Sequence, residues 1–245
     1  MIELTDVSVR FGSRLVLDRI TLTVPTGARF GIIGPAAGGK SVLLKVMAGL
    51  VPPTSGRIAL AGVDVTGWSE ERLAPVRARI GMLFQNYALF DFLSVGDNVG
   101  FPLVQRGVAD TERAVRVEER LRAVGLGGQD ARWPSQLSGG MRKRVGIARA
   151  TIASPELVLY DEPTAGLDPV TTSKMYELLR ADHDRTGATA VAVSSDVAAL
   201  CGFVDLALFL YQGRAHHTGP ACDLADAADP LVRQFVRGDL DGPIP

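Results

Sequence analysis

The chain has 245 residues, enough for one large or two small domains with a substantial hydrophobic core. Its formal net charge of −1 argues against a protein with a broadly basic face for nucleic acid. Its two cysteines argue against a disulfide framework and favour a reducing compartment, and the sequence shows neither a secretory signal nor the roughly 18 uninterrupted apolar residues of a membrane helix. If the protein works at a membrane, we therefore expect another chain to anchor it there.

The first predicted elements are strands. Residues 2–24 alternate between apolar and polar and carry a turn signal at Gly12 and Ser13, which predicts an antiparallel β region. The apolar run 28–33 predicts a buried strand, and the segment 42–48 predicts a helix. The loop between them has the strand–loop–helix context of a phosphate-binding site.

This loop has the pattern G-x-x-x-x-G-K-[ST], which is typical of nucleotide sites. Its glycines let backbone N–H groups turn towards phosphate oxygens, and the following helix presents its positive end to the same anion. We expect Lys40 to reach the β- and γ-phosphates of a nucleotide and the Ser41 hydroxyl to ligate Mg²⁺. The predicted nucleotide-binding residues of this segment are Gly34, Pro35, Ala36, Ala37, Gly38, Gly39, Lys40, Ser41 and Val42.

The rest of the chain alternates strands with helices. Further predicted strands occupy residues 57–60, 80–84, 157–160, 189–194 and 206–211. A more polar, helix-rich stretch at about residues 86–137 includes a charged amphipathic helix at 111–124. The alternation predicts a parallel α/β core with an inserted helical lobe, in a domain of residues 1–220 that is followed by a tail at 221–245.

Two acids follow the predicted strand at 157–160. A carboxylate at the carboxyl end of such a strand lies beside the phosphate loop, so we expect Asp161 to hold Mg²⁺. Glu162 points differently and is the candidate general base, which would polarise a water for attack on the γ-phosphate. An isolated Asp-Glu pair is often only a solvated loop start, but its combination with the phosphate loop favours the catalytic interpretation.

A second helix start lies just before this strand. Ser138 suits an N-cap, and Gly139 and Gly140 expose N–H groups at the positive end of a helix predicted over 142–150. Alone, the segment predicts no more than a capped helix. Its position upstream of the two acids makes it a candidate third part of the nucleotide site.

Together these three motifs resemble those of the ATP-binding-cassette (ABC) ATPases, over nearly the whole chain. The loop 34–41 matches the phosphate loop of that family, 137–141 matches its signature with Met141 where Gln is usual, and Asp161 and Glu162 match its magnesium-associated acid and general base. The resemblance implies an α/β fold: a P-loop NTPase core with an N-terminal antiparallel β region and an inserted α-helical lobe. The cofactors it implies are ATP and Mg²⁺.

The resemblance also assigns roles to single residues. Gln85 matches a glutamine that links the Mg²⁺ and water site to the helical lobe, so it is expected in both catalysis and metal binding. Asp168 matches a loop that crosses a dimer interface, and Phe11 lies where the family places an aromatic ring against adenine. An edge-packing Phe11 is the alternative. The implied assembly is a head-to-tail homodimer in which each ATP lies between one phosphate loop and the partner's Ser138, Gly139 and Gly140.

Two departures from the family pattern affect the expected chemistry. Ala36 and Ala37 stand where a Ser-Gly or Asn-Gly pair is common, so Ala37 is expected to adopt a backbone that a methyl group disfavours. Ser195 stands where a histidine usually contacts the γ-phosphate. Serine is shorter and carries no positive charge, so we expect Ser195 to support hydrolysis at a reduced rate.

A finer resemblance concerns the transported substrate. Five segments of the chain resemble the Mla/Mce-type lipid-transport ATPases of bacteria. These segments are residues 88–90, 97–103, Met141, 233–235 and 241–245. This implies a peripheral protein at the cytoplasmic face of the inner membrane that moves phospholipid together with a permease, an MCE lipid-binding protein and a STAS-domain protein. The groove around residues 85–90 is expected to receive the permease.

Three other classes of protein share some of these sequence features. An importer of amino acids or another polar solute shares the cassette motifs, and a weakly hydrolysing nucleotide-binding regulator would fit Ser195. A cassette for DNA repair or chromosome organisation would need long coiled-coil insertions or a fused second cassette, and the sequence has neither, so no nucleic acid is expected as partner.

Overall fold

The computed structural model describes residues 1–244, so Pro245 at the end of the predicted tail lies outside the described residues. Four strands form an antiparallel sheet in the order β2-β1-β4-β5. They are β1 (Ile2–Phe11), β2 (Arg14–Val24), β4 (Ser55–Leu60) and β5 (Val63–Asp64). The predicted antiparallel β region is thus confirmed, with the β1–β2 turn at Gly12 and Ser13.

The second sheet has six strands in the order β10-β9-β3-β8-β7-β6. They are β3 (Arg29–Ile33), β6 (Ile80–Leu83), β7 (Leu157–Asp161), β8 (Thr189–Val193), β9 (Leu206–Tyr211) and β10 (Arg214–Pro220). All neighbours pair in parallel except β10, which pairs antiparallel with β9 at the edge. Every residue of β7 and β8 is buried, as expected for parallel strands covered on both faces.

Eight α-helices surround and extend these sheets within residues 1–244. They are α1 (Lys40–Met47), α2 (Glu70–Arg77), α3 (Val95–Gln105), α4 (Asp110–Ala123), α5 (Gly139–Thr151), α6 (Pro169–Thr186), α7 (Val197–Cys201) and α8 (Pro230–Arg237), with 3-10 turns at Pro134–Gln136 and Ala221–Asp226. Helix α5 begins three residues earlier than predicted because Ser138 caps it, accepting from the N–H of Met141 at 3.3 Å. None of these helices is both long and apolar enough to span a bilayer.

The helical lobe has its own hydrophobic core. Helices α3 and α4 pack on α5 through Val99, Leu121 and Val145, which are all buried. Residues 86–94 at the start of the predicted lobe form no helix. A buried ion pair between Arg120 of α4 and Asp182 of α6 joins the lobe to the core.

The α/β fold class predicted from the sequence is confirmed, but three elements were not predicted. Strand β10 is polar and mostly exposed, so it lacks the apolar pattern that indicates a strand. Helix α2 contains Pro75 and only one buried residue, Leu73. Strand β5 is two residues long and is formed only by pairing with β4.

Candidate nucleotide site

The candidate nucleotide site is a cavity of about 490 Å³ at the carboxyl edge of the parallel sheet. This is where open α/β sheets bind ligands. The loop after β3, the turn after β6 and the turn after β7 all end there, and the β1–β2 hairpin covers one side. The residues lining it are Phe11, Arg14, Val16, Ala36, Ala37, Gly38, Gly39, Lys40, Ser41, Val42, Gln85 and Glu162.

The phosphate loop depends on backbone shapes that favour glycine. Gly34 has φ +145°, and a Cβ there would lie 2.0 Å from the carbonyl oxygen of Leu210. Gly39 has φ +98° and lies directly before α1. Ala37 has φ +58°, a left-handed conformation that costs an L-residue about 1–2 kcal/mol. The expectation that the Ala37 methyl group stands on a disfavoured backbone is confirmed.

Lys40 is a buried cation that faces the loop. Its Nζ donates to the carbonyl oxygens of Gly34 and Pro35, both at 2.8 Å. Burial lowers the Lys40 pKa, while the charges of Glu162 and Asp161 oppose that shift. Lys40 forms no salt bridge within residues 1–244. Its positive charge is therefore available to an anion in the cavity.

The two predicted metal residues next to the loop are in direct contact. The Ser41 hydroxyl donates to Oδ1 of Asp161 at 2.8 Å, although the residues are 120 positions apart. Burial raises the Asp161 pKa, and the Ser41 hydrogen bond, Lys45 and Lys40 act against that rise. Hydroxyl and carboxylate oxygens are ligands that Mg²⁺ prefers, and Mg²⁺ in phosphate sites needs only one or two carboxylates.

The candidate base Glu162 is held by Ser195. Glu162 has φ +52°, and its N–H donates to the carbonyl of Val193 at 3.0 Å. Its Oε2 accepts from both the N–H and the hydroxyl of Ser195, each at 3.1 Å. Ser195 does not line the cavity, so its observed contact is with the carboxylate. This geometry indicates that Ser195 orients Glu162.

We expect Ser195→Ala to lower kcat for ATP hydrolysis about three- to tenfold, because it removes one hydrogen bond to the carboxylate and leaves the backbone N–H bond in place. Ser195→His, which restores a longer donor, is expected to raise kcat. Steady-state phosphate release measures both. Ser69→Ala is the matched control, since that hydroxyl is exposed and caps nothing. An alanine variant with unchanged turnover would remove Ser195 from the catalytic arrangement.

Phe11 lies at the mouth of the cavity and is 52% exposed, which fits an aromatic ring open to a planar base. Arg14 and Val16 line the same cavity and were not predicted. Their only signal is their position just after Phe11 across the Gly12–Ser13 turn, which brings β2 beside β1.

Four predicted residues belong to the segments expected to contact a second copy of the chain, and they do not line this cavity. They are Ser138, Gly139, Gly140 and Asp168. Ser138 is exposed, and none of Ser138, Gly139 and Gly140 lines the cavity. Asp168 is an exposed N-cap of α6 that accepts from the N–H of Thr171 at 3.0 Å and from its hydroxyl at 2.5 Å. The Thr171 hydrogen bonds lower the Asp168 pKa. One chain therefore presents these groups on its surface without an internal partner site.

A second cavity of about 570 Å³ lies between β6 and the helical lobe. Its lining includes the apolar residues Met82, Phe84, Phe90, Phe101 and Pro102, together with three arginines. We call it the lobe groove. Beside it, Arg149 donates to the carbonyls of Tyr87 and Ala88 at 2.8 and 2.7 Å, which fixes two consecutive residues with positive φ. Of the segment 85–90 expected at this groove, Ala88 and Phe90 line it, while Gln85 lines the nucleotide cavity.

Comparisons with known sequences agree on one family. The family model described as ABC transporter matches residues 17–165. Protein TRIGALACTOSYLDIACYLGLYCEROL 3, chloroplastic, of Arabidopsis thaliana is 40% identical over 100% of this chain and 75% of that protein. The intermembrane phospholipid transport system ATP-binding protein MlaF of Escherichia coli K12 is 39% identical over 100% of this chain and 91% of MlaF. The methionine import ATP-binding protein MetN of Rhizobium johnstonii is 42% identical over 89% of this chain and 60% of MetN.

Solved structures agree with this result. The dimeric ATP-binding cassette MJ0796 in a post-hydrolysis state with ADP and Pi has a TM-score of 0.84 to this chain, at 29% identity over 90% of this chain and 99% of that one. A second dimeric structure of the same bacterial ABC transporter cassette also has a TM-score of 0.84, at 30% identity. These likenesses confirm the predicted cassette fold.

Proposed function

This chain belongs to the ABC transporter family as an ATP-hydrolysing subunit, and from that membership we propose that it drives the movement of phospholipid between membranes. The observation that carries the proposed ATPase site is the convergence of Lys40, Ser41, Gln85 and Glu162 on one cavity at the carboxyl edge of the parallel sheet. The lipid substrate is supported by relatives that align with the whole chain, among them the one named for intermembrane phospholipid transport.

In the proposed reaction, the loop 34–41 and the N-terminus of α1 bind the triphosphate, and Lys40 exchanges part of its contact with the Gly34 and Pro35 carbonyls for phosphate oxygens. Glu162, oriented by Ser195, accepts a proton from the attacking water. Ser41, Asp161 and Gln85 would hold Mg²⁺, which when bound neutralises charge on the phosphates. Phe11 would stack on the base.

The proposed working unit is a head-to-tail homodimer. Ser138 begins an exposed, capped helix outside its own cavity, and Asp168 is likewise exposed, so both are free to contact a second copy. The helix N-terminus at Ser138 would then neutralise the partner's triphosphate from the side opposite α1. Two dimeric cassette structures with this fold support a dimer as the working unit.

We expect Ser138→Arg to leave ATP binding by the monomer within about twofold of the original, because Ser138 does not line the cavity. The same variant should block ATP-dependent dimerisation, since a bulky cation would stand where the partner's nucleotide must approach the helix end. Nucleotide titration and size-exclusion chromatography with ATP measure the two effects. Ser135→Ala, an exposed position nearby, is the control. A variant that still dimerises with ATP would contradict the head-to-tail arrangement.

The proposed partner at the lobe groove is a membrane permease, and the proposed location is the cytoplasmic face of the inner membrane. The groove is mostly apolar and about 570 Å³ in volume, and Arg77, Arg106 and Arg149 also line it. An exposed apolar hollow of this kind is suited to an intruding protein segment. An MCE lipid-binding protein and a STAS-domain protein are the further proposed partners, because segments such as 88–90 and 97–103 resemble those of the Mla/Mce-type ATPases.

The experiment that tests the substrate is purification of this chain with its membrane partners, followed by identification of bound lipid and by ATPase assays with lipid or with methionine. Bound phospholipid and lipid-stimulated hydrolysis are the expected results. A polar-solute importer is the second candidate, favoured by the 42% identity to MetN. Methionine-stimulated hydrolysis in a complex free of lipid would decide for that candidate.

A further inference from the structure

Lys143 is a buried lysine on α5 that has no role in the proposed reaction described above. The chain is rich in arginine, and its four lysines are Lys40, Lys45, Lys143 and Lys174. Lys143 is only 2% exposed and forms no salt bridge within residues 1–244. Burying a charge is unfavourable unless hydrogen bonds compensate for lost water, so its partners indicate what it does.

Those partners are backbone carbonyls of the turn that carries the candidate base. Nζ of Lys143 donates to the carbonyl of Ala165 and, at 3.3 Å, to that of Glu162. The N–H of Ala165 also donates to the Glu162 carbonyl at 3.3 Å, which forms a turn at 162–165. Lys143 therefore binds the carbonyls at both ends of this turn. Burial lowers the Lys143 pKa, and the nearby Glu162 charge offsets part of that shift.

This turn needs support because Glu162 has a left-handed backbone with φ +52°. A strained residue keeps such a conformation only where its surroundings hold it. The N–H of Glu162 is fixed by the Val193 carbonyl at 3.0 Å, its carboxylate by Ser195, and its carbonyl by Lys143. Of the three residues that hold Glu162, only Lys143 lies on α5, the helix that is capped by Ser138.

We propose that Lys143 is a positioning residue for ATP hydrolysis, which holds the 162–165 turn and thereby ties the Ser138 end of α5 to the carboxylate of Glu162. This inference rests on the proposed head-to-tail dimer. There, the Ser138 end of α5 faces the partner's nucleotide, while Glu162 acts on the nucleotide of its own chain. Lys143 thus links the two ATP sites through one helix and one turn.

The test uses Lys143→Met, which keeps the length of the side chain and removes its donors, and Lys143→Arg, which restores donors. We expect Lys143→Met to lower kcat at least tenfold and to leave the dissociation constant for ATP within twofold, because Lys143 does not line the cavity. Lys143→Arg is expected to recover at least a third of the original kcat. Lys174→Met is the matched control, since Lys174 is an exposed lysine on α6 that lines neither cavity.

A second measurement separates positioning from general damage. In a Glu162→Gln background, Lys143→Met is expected to leave ATP-dependent dimerisation intact. The inference is overturned if Lys143→Met keeps kcat within twofold, if ATP binding falls in parallel with kcat, or if Lys143→Arg recovers nothing. If Lys143→Met does not fold, Lys143→Leu, which also lacks donors, is judged by the same criteria. Absence of ATPase activity in the unmodified chain would instead contradict the proposed site, so the two failures are distinguishable.

Discussion

Glu162→Gln is expected to lower kcat for ATP hydrolysis at least about 100-fold, because a general base contributes roughly 10²- to 10⁴-fold and an amide does not accept the proton. ATP binding should persist, since the triphosphate contacts come from the loop 34–41 and the amide keeps the shape of the carboxylate. The hydrogen bonds from Ser195 to Oε2 can be retained by the amide oxygen. The variant should therefore accumulate as an ATP-bound dimer.

Single-turnover phosphate release gives the rate for this variant, and size-exclusion chromatography with Mg-ATP gives its association state. Glu177→Gln is the matched control, because it is the same substitution at an exposed position on α6. Turnover that stays within a few fold of the original would exclude Glu162 as the base. A monomer in ATP would count against the dimer while leaving the base assignment standing.

Lys40→Ala is expected to weaken ATP binding at least about 100-fold. Each hydrogen bond to a charged group contributes roughly 1.5–3 kcal/mol, and about 2.7 kcal/mol corresponds to a 100-fold change in the dissociation constant. Lys40 is buried, so its charge acts on phosphate through little intervening water. Equilibrium titration with a fluorescent ATP analogue measures the loss.

Thermal unfolding controls for damage to the loop, because Lys40 also binds the Gly34 and Pro35 carbonyls. Lys174→Ala is the matched substitution at an exposed lysine and should leave affinity unchanged. If folded Lys40→Ala protein binds ATP as tightly as the original, Lys40 does not contact the phosphates.

The parts of the site that lie close together in sequence were predictable. The loop 34–41 combines its strand, glycines, lysine and serine in one segment, so local pattern is enough. Ser41 and Asp161 are 120 positions apart and in direct contact. The position of Asp161 beside the phosphate loop was predictable because parallel strands place their carboxyl ends at one sheet edge. The N-cap role of Ser138 follows from side-chain chemistry alone and is confirmed.

Other contacts were not predictable because they depend on tertiary geometry. That Ser195 would bind the Glu162 carboxylate requires the left-handed backbone of Glu162, for which its sequence gives no sign. Lys143 sits in a helix whose amphipathic pattern does not reveal which carbonyls it meets. The pair Arg120 and Asp182, 62 positions apart, likewise depends on how the helical lobe rests on α6.

Phe84 and Gln85 are adjacent in sequence, yet Phe84 lines the lobe groove and Gln85 lines the nucleotide cavity. Only one planar peptide unit separates the α-carbons of these two residues. If the proposed permease segment occupied the lobe groove against Phe84, its contact would lie one residue from a side chain that lines the nucleotide cavity. The proposed permease contact and the proposed hydrolysis site would then be neighbours along the main chain, and no other residue would lie between them.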